Sequence, residues 1–229
     1  LEGGYRERCF VATKVSGQYS RAGIEAAIED SLRALDVDYV DLFQIHGWDP
    51  HYPIAESMEA MARLQEQGKT RFIGVSNFNA AQMREASDTA PFQSNQPRYS
   101  MLDRDIEGTD LGFCRQAGIG ILAHSPLAKG LLTGKYSAGH LFPADDERAG
   151  RPRFQGDLFA RYLAVADRLK EIAADKSITL VQLAIAWLLR QPEVTCVLAG
   201  AKSPEQAAEY VGASTVTFAE EELERIDAA

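Results

Sequence analysis

The sequence predicts an α/β fold with parallel strands, on three observations. Short apolar strands alternate with segments of helical period along most of the 229 residues. The passages between strands are long enough for crossover helices, which join parallel neighbours. Polar residues also gather at the C-terminal ends of the strands: Lys14 and His46 end the first two, and SNF, QPRY, HSPL and GAKS close the later four.

Taken in order, strands are expected at 9–15, 39–46, 71–76, 91–96, 120–125 and 195–200, each short, apolar and followed by turn or polar residues. After the first, Ser20 suits an N-cap, and Ile24, Ala27, Ile28, Leu32 and Leu35 fall on one helical face. Further helices fit 54–67, behind Pro53, then 80–88 and 108–117. The stretch 128–160 breaks the rhythm; its length and its Gly, Pro and charge content are those of a lid or a disordered loop. Two helices follow, RYLAVADRLKEIAADK and TLVQLAIAWLLRQ, the second capped by Thr179 and placing Trp187 in the core. VTCVLAGA gives the last strand, SPEQAAEYVGA a helix, and EEELERIDAA a closing helix. With no internal repeat, low-complexity tract or splitting linker, 1–229 is expected to be a single domain.

Composition excludes several function classes. A formal net charge of −9 and the lack of any long Lys/Arg run argue against nucleic-acid binding. Cys9, Cys114 and Cys196 lie far apart with no CxxC pair, so buried reduced thiols are expected rather than a disulfide framework or zinc knuckle. No apolar run has the roughly 18 residues of a membrane helix, and no signal peptide opens the chain. Cytoplasmic localisation is the default expectation. The chain begins at Leu1 and enters a strand almost at once, as a sequence starting partway through a longer protein would. Oligomeric state is not legible.

Parallel βα units leave two architectures, an open doubly wound sheet or part of an eight-stranded barrel. A dinucleotide-binding open sheet needs GxGxxG after its first strand, and none occurs. The nearest approach to a phosphate loop, GLLTGKY at 130–136, has the wrong spacing, with Tyr136 where Ser or Thr would hold magnesium. Polar residues at all six strand ends favour the barrel, since an open sheet concentrates them at one switch point.

The strings VATKV, YVDLFQIHGWDP, GKTRFIGVSNF, SNQPRYSML, HSPLAKGLLTGKY and LAGAKSPEQAAE resemble the aldo-keto reductases in order and approximate spacing, from residue 9 to about 227. Within that family the chain looks most like bacterial reductases related to the potassium-channel β subunits. The resemblance implies a (β/α)8 barrel, of which strands 3 to 8 are present here. It also implies hydride transfer between NADP(H) and a small aldehyde, ketone or alcohol. In the family a Tyr protonates the carbonyl oxygen, and Lys14 would strengthen that acid, because a nearby ammonium favours the phenolate. A carboxylate beside Lys14 is expected, supplied in the family by an Asp. His46 would orient and hydrogen-bond the carbonyl oxygen. The family's Tyr and Asp lie upstream of this Lys, in a region outside the sequence; Tyr5, in a loop before the strand, does not replace the Tyr.

The resemblance also maps the cofactor. Ser76, Asn77 and Gln96 would hold the nicotinamide carboxamide, which needs fixed donors and acceptors. His124 stands where the family usually has an aromatic ring stacking on the nicotinamide. Ser125, Pro126, Leu127 and Ala128 would wrap the pyrophosphate through backbone N–H groups, with Lys135 adding an ammonium. Gly200 permits close approach, Lys202 and Ser203 at a helix start suit a 2′-phosphate, and Gln206 and Glu209 reach the adenosine. This set favours NADPH over NADH. Tyr210 departs from the Asn often found after that Glu.

No metal is expected: His46 and His51 stand five apart without ligand geometry, and no HExxH occurs. Asp145, Asp146 and Glu147 are expected to be solvated, and Arg148, Arg151 and Arg153 are three undistinguished candidates for a phosphate. Trp48 is a candidate substrate wall, and substrate identity is not legible. The rival reading is a non-catalytic nicotinamide-binding subunit that regulates a partner.

Overall fold

The computed structural model describes residues 3–229. Six strands, β1 (Ala12–Val15), β2 (Val40–Ile45), β3 (Thr70–Val75), β4 (Ser94–Asn95), β5 (Gly120–His124) and β6 (Val194–Leu198), lie in one sheet in chain order. The pairings from β1 through β5 are parallel. The chain divides into two compact units: residues up to Arg98 with Asp105–Leu122, and Tyr99–Arg104 with Ala123–Ala229. β5 passes from the first into the second.

In the first unit, helices α1 (Arg21–Leu35), α2 (Ile54–Glu66), α3 (Ala80–Thr89) and α4 (Thr109–Ala117) alternate with the strands as expected. The Ser20 hydroxyl accepts from the Gly23 N–H and starts α1, while Asp36 in the left-handed region ends it. Of its apolar stripe, Ile24, Ile28 and Leu32 are buried. Each contributes about 2 kcal/mol on the usual area scale. Asn79 and Gln82 form a reciprocal capping box that fixes the start of α3. β4 is shorter than the expected 91–96, but ladder bonds from Gln93 N to Ile73 O (3.0 Å) and Gln96 N to Val75 O (2.9 Å) continue the pairing beyond it.

All six residues of β2 are buried, and two of them are polar. Near its start Asp41 accepts from Val11 N (2.8 Å), Arg6 Nη1 (2.8 Å) and Arg71 Nη1 (3.1 Å). The Tyr39 ring stands 4.2 Å from the Arg6 guanidinium and 4.5 Å from that of Arg71. Burial pushes the Asp41 carboxyl up, but the Val11 N–H and the two arginines outweigh it and hold its pKa below the ordinary value.

The second unit contains α5 (Gly156–Asp175), α6 (Leu180–Leu189), α7 (Pro204–Gly212) and α8 (Glu220–Asp227). Thr179 and Gln182 form the capping box that starts α6, and Trp187 is fully buried, as expected. The stretch 128–160 is neither structureless nor as long as its composition predicts. α5 begins at Gly156 because Phe159 extends the buried stripe of Leu163, Ala166 and Leu169 by one turn. Short 3₁₀ turns at Ala128–Thr133 and Pro152–Phe154 flank a cluster of Tyr136, His140, Phe142, Phe154 and Phe159, with ring centroids 4.7–6.4 Å apart.

The three thiols are free, but only Cys114 is buried; Cys9 and Cys196 are exposed, against the expectation. Cys9 precedes β1 rather than lying in it, and Cys196 points out of a strand whose middle residues are exposed. Among the described residues no single helix is long and apolar enough to cross a membrane.

Candidate active site

Parallel register builds the first part of the site. Lys14, Gln44, Gly74, Ser94 and Gly120 are successive partners across β1 to β5, so they form one row on one face of the sheet. Thr13, which points to the other face, lies 3.5 Å from Ser31 of α1, so Lys14 points away from the helices. A Cβ on Gly74 would collide with Ser94 and crowd the Gln44 side chain at 3.3 Å. The absent side chain makes room for the polar row.

One step further along, residues just past the strands form a connected amide network. Lys14 Nζ donates to Gln96 Oε1 (3.1 Å), and Gln96 Nε2 donates to Gln44 Oε1 (2.8 Å). Gln44 Nε2 reaches Val75 O (3.1 Å) and Ser94 Oγ (3.3 Å). Ser76 Oγ donates to Gln96 O (2.7 Å), and Asn77 Nδ2 donates to Ser76 Oγ (3.0 Å) and His46 O (3.4 Å). Asn77 holds a left-handed backbone (φ 58°), which turns the chain sharply where β3 ends. The expected residues Lys14, Ser76, Asn77 and Gln96 are thus joined by hydrogen bonds. His46 joins through its backbone, and its residue is solvent-exposed.

Two residues of this network, Gln44 and Ser94, are absent from the sequence prediction. For Gln44 the signal was a polar residue inside a mostly apolar buried strand, which has to find partners there, whereas Ser94 stands beside Asn95 in a polar strand and carried no such mark. Among the described residues, the hydrogen-bond partner of the Lys14 ammonium is the neutral Gln96 amide. Burial lowers the Lys14 pKa from its ordinary value.

The second unit contains a cavity of about 600 Å³. Ser125, Pro126 and Leu127 line it from the chain after β5; Gly200, Lys202, Gln206, Glu209 and Tyr210 line it from the chain around the start of α7. Lys129, Lys135 and Arg148 bring three further cations to its wall. The expected backbone wrap needs two corrections. Pro126 has no N–H, and the Ala128 N–H turns inward to Ser125 O (2.9 Å), with Ala128 itself buried outside the lining. A run of left-handed residues, Ser125, Ala128, Lys129 and Gly130, coils the segment tightly. His124 is half-buried, and its Nδ1 is 2.9 Å from Ser125 Oγ.

At the start of α7 the Ser203 hydroxyl accepts from Gln206 N (3.3 Å), and Gln206 Oε1 accepts from Lys202 N (2.8 Å). Tyr210 donates its hydroxyl to Gly200 O (3.3 Å), which ties the turn to the helix. Of the three candidate arginines, only Arg148 reaches the cavity wall. Arg153 pairs with Asp103 (3.0 Å), and Arg151 with Glu147 (2.9 Å). The acidic triplet is not simply solvated. Asp146 grips Arg148, and Glu147 accepts from Lys129 (2.7 Å). Hydrogen bonds from the Arg148 side chain and N–H hold the Asp146 carboxyl far below the usual range, and Lys129, then Arg151, lower Glu147.

Among the described residues no group of three metal-ligating side chains comes together. The arrangement therefore offers fixed amide donors and acceptors around an ammonium in one unit, and a cation-lined, backbone-coiled cavity in the other. A planar carboxamide fits the first chemistry and phosphates fit the second.

The chain is 36% identical over 215 residues to the aldo-keto reductase YhdN of Bacillus subtilis, covering 90% of this chain and 65% of that protein. It is 32% identical to the aldo-keto reductase yakc [NADP(+)] of Schizosaccharomyces pombe, covering 97% of this chain and 70% of the relative. The glycerol dehydrogenase AKR11B4 of Gluconobacter oxydans superposes with a TM-score of 0.87 at 35% identity, covering 92% of this chain and 64% of that structure. The chain thus spans 65% and 64% of the lengths of YhdN and the glycerol dehydrogenase. The match to the Aldo/keto reductase family runs over residues 1–229, and with the strand-end network in place the chain belongs to that family.

Proposed function

We propose that the chain is the greater part of an NADP(H)-dependent oxidoreductase that reduces aldehydes or ketones, or oxidises the corresponding alcohols. The observation that carries this reading is the network joining Lys14, Gln96, Ser76 and Asn77. Those groups would hold the carboxamide of the nicotinamide, and the bound cofactor supplies the hydride. The Lys14 ammonium would stabilise negative charge on the group that protonates the carbonyl oxygen, and His46 at the next strand end would orient that oxygen. His124 would lie against the nicotinamide. Leu127, Lys135 and Arg148 would meet the pyrophosphate, with Lys202, Gln206 and Glu209 at the 2′-phosphate and adenosine end.

In this reading 1–229 belongs to a single (β/α)8 barrel domain, with β1 to β6 as its third to eighth strands. The 65% and 64% shares of the two relatives support that assignment. A small carbonyl compound is the partner, and a cytoplasmic location accords with it. The test is titration of the full-length protein with NADPH, read by nicotinamide fluorescence, followed by turnover on a panel of aldehydes and ketones. Saturable binding with turnover is expected. Absence of NADPH binding overturns the reading, and binding without turnover moves it to the regulatory subunit.

A further inference from the structure

Two of the cations on the wall of the 600 Å³ cavity are already engaged by carboxylates of the segment that follows it. Lys129 donates to Glu147 Oε1 at 2.7 Å, and Arg148 is gripped by Asp146 through both its Nε and its terminal nitrogen. Glu147 is shared: its other oxygen accepts from Arg151 at 2.9 Å. The segment bearing these carboxylates is anchored at one end by Tyr136, Phe142 and Phe159 and at the other by Phe154, which is buried. The Arg148 guanidinium lies 5.0 Å from the Phe142 ring and 5.7 Å from the Tyr136 ring. The carboxylates are thus held against the cavity's cations by a packed strap.

The two pairs differ in kind. Asp146 accepts from the Arg148 backbone N–H (2.9 Å) as well as from its side chain, so it fixes where that guanidinium sits. Glu147 receives no backbone N–H from the cations it pairs with: besides Arg151 it meets Lys129, eighteen positions earlier in the chain, with its side chain 59% exposed against 32% for Lys129. An exposed pair of this kind is weak, because water and salt screen it and both side chains give up rotamer freedom to hold it. It can therefore be exchanged for a better anion without unfolding anything.

We propose that Glu147 is an internal stand-in for phosphate: it occupies the Lys129 ammonium in the unliganded chain, and an incoming cofactor phosphate must displace it. The proposal rests on the NADP(H) reading above. Arg151 sets the strength of the competition, because it draws the same carboxylate away from Lys129. Removing Glu147 then tightens NADPH binding, whereas removing Arg151 weakens it.

The sign separates this role from a structural one. If Glu147 only ordered the strap by bridging Lys129 and Arg151, E147Q and R151Q would both loosen it and both weaken binding. The test measures NADPH affinity by fluorescence titration for wild type, E147Q, R151Q and D145N, with thermal unfolding as a check of folding. D145N removes the same charge from the neighbouring exposed carboxylate. Expected are a threefold to fivefold tightening in E147Q, a twofold or greater weakening in R151Q, and less than half the E147Q effect in D145N. Weakening or no change in E147Q overturns the proposal, as does an equal tightening in D145N. Wild type that does not bind NADPH at all refutes the function assigned above instead, so the two failures are distinguishable.

Discussion

The Lys14 ammonium rests 3.1 Å from Gln96 Oε1, a neutral acceptor, so burial of the cation is only partly offset. Its pKa is lowered from 10.5 for that reason. The sign follows from linkage: between the lowered folded value and the ordinary one, the unfolded chain binds more protons, so stability rises with pH across that window. The charge that the proposed chemistry uses is lost over the same range. Lys14 should therefore titrate below 10.5 in a ¹³C NMR titration of lysine-labelled protein, and Q96E should move it upward by placing a carboxylate against the ammonium. An unshifted Lys14, or a downward move in Q96E, would show that the amide contact does not govern this cation.

Gln44 holds the network from below. It is fully buried, accepts from Gln96 and donates to Val75 O and Ser94 Oγ. Q44L preserves approximate size but strands these partners in the interior, where each unsatisfied group costs about 1–3 kcal/mol. We expect Tm to fall by about 5–10 °C, on the scale of roughly 2–4 °C per kcal/mol for a chain of this size. NADPH affinity should fall with it, because Gln96 loses its fixed orientation. A Tm within about 2 °C of wild type would mean that water or rearrangement satisfies the row.

The alternation that made the fold legible is also what limited the reading of the site. The period of Ile24, Ile28 and Leu32 and the caps at Ser20 and Thr179 depend on local chemistry, and these elements formed where the sequence placed them. Lys14 and His46 were marked by their place at strand ends, while Ser76, Asn77 and Gln96 took their roles from the resemblance of the surrounding strings to the family. Gln44 and Ser94 were not legible, since their role depends on the register that sets both opposite Gly74. The carboxylate partners of Lys129 and Arg148 were hidden for a related reason. Asp146 and Glu147 look solvated until Tyr136, Phe142 and Phe159 fold the intervening chain back. The inward turn of Ala128 N–H likewise follows from left-handed backbone at non-glycine residues, which propensity does not forecast.

Acid should attack the fold at Asp41. Its carboxyl is 4% exposed and its folded pKa is depressed by the Val11 N–H, Arg6 and Arg71 despite the opposing effect of burial. A depressed carboxylate contributes stability that is present above its unfolded pKa and lost as pH falls through the folded value. D41N removes the charge at every pH and leaves Arg6, whose side chain is only 12% exposed, without its anion. Breaking a buried pair from one side costs about 3–5 kcal/mol, and the 58% exposure of Arg71 brings the expectation to on the order of 2 kcal/mol. Urea unfolding at pH 7 measures that loss, and the gap between D41N and wild type should narrow as the pH approaches 3. A gap that is constant with pH would place the effect in packing, not in charge.

Under the proposed function, selection of NADPH over NADH should reside in Lys202. Its backbone N–H is engaged by Gln206 Oε1 at 2.8 Å, while the exposed residue lines the cavity at the start of α7. The ammonium is then the group that would distinguish a 2′-phosphate from a 2′-hydroxyl. A charge-assisted contact at an open site is worth about 1–1.5 kcal/mol, roughly tenfold in Kd. K202A should therefore weaken NADPH binding about tenfold and leave NADH binding within about twofold, with K202R retaining most of the preference. The loss should also shrink as ionic strength rises, because an exposed ammonium is screened. Equal weakening of both cofactors in K202A would assign Lys202 to the shape of the α7 turn, and the selectivity would then have to come from Arg148 or Lys135.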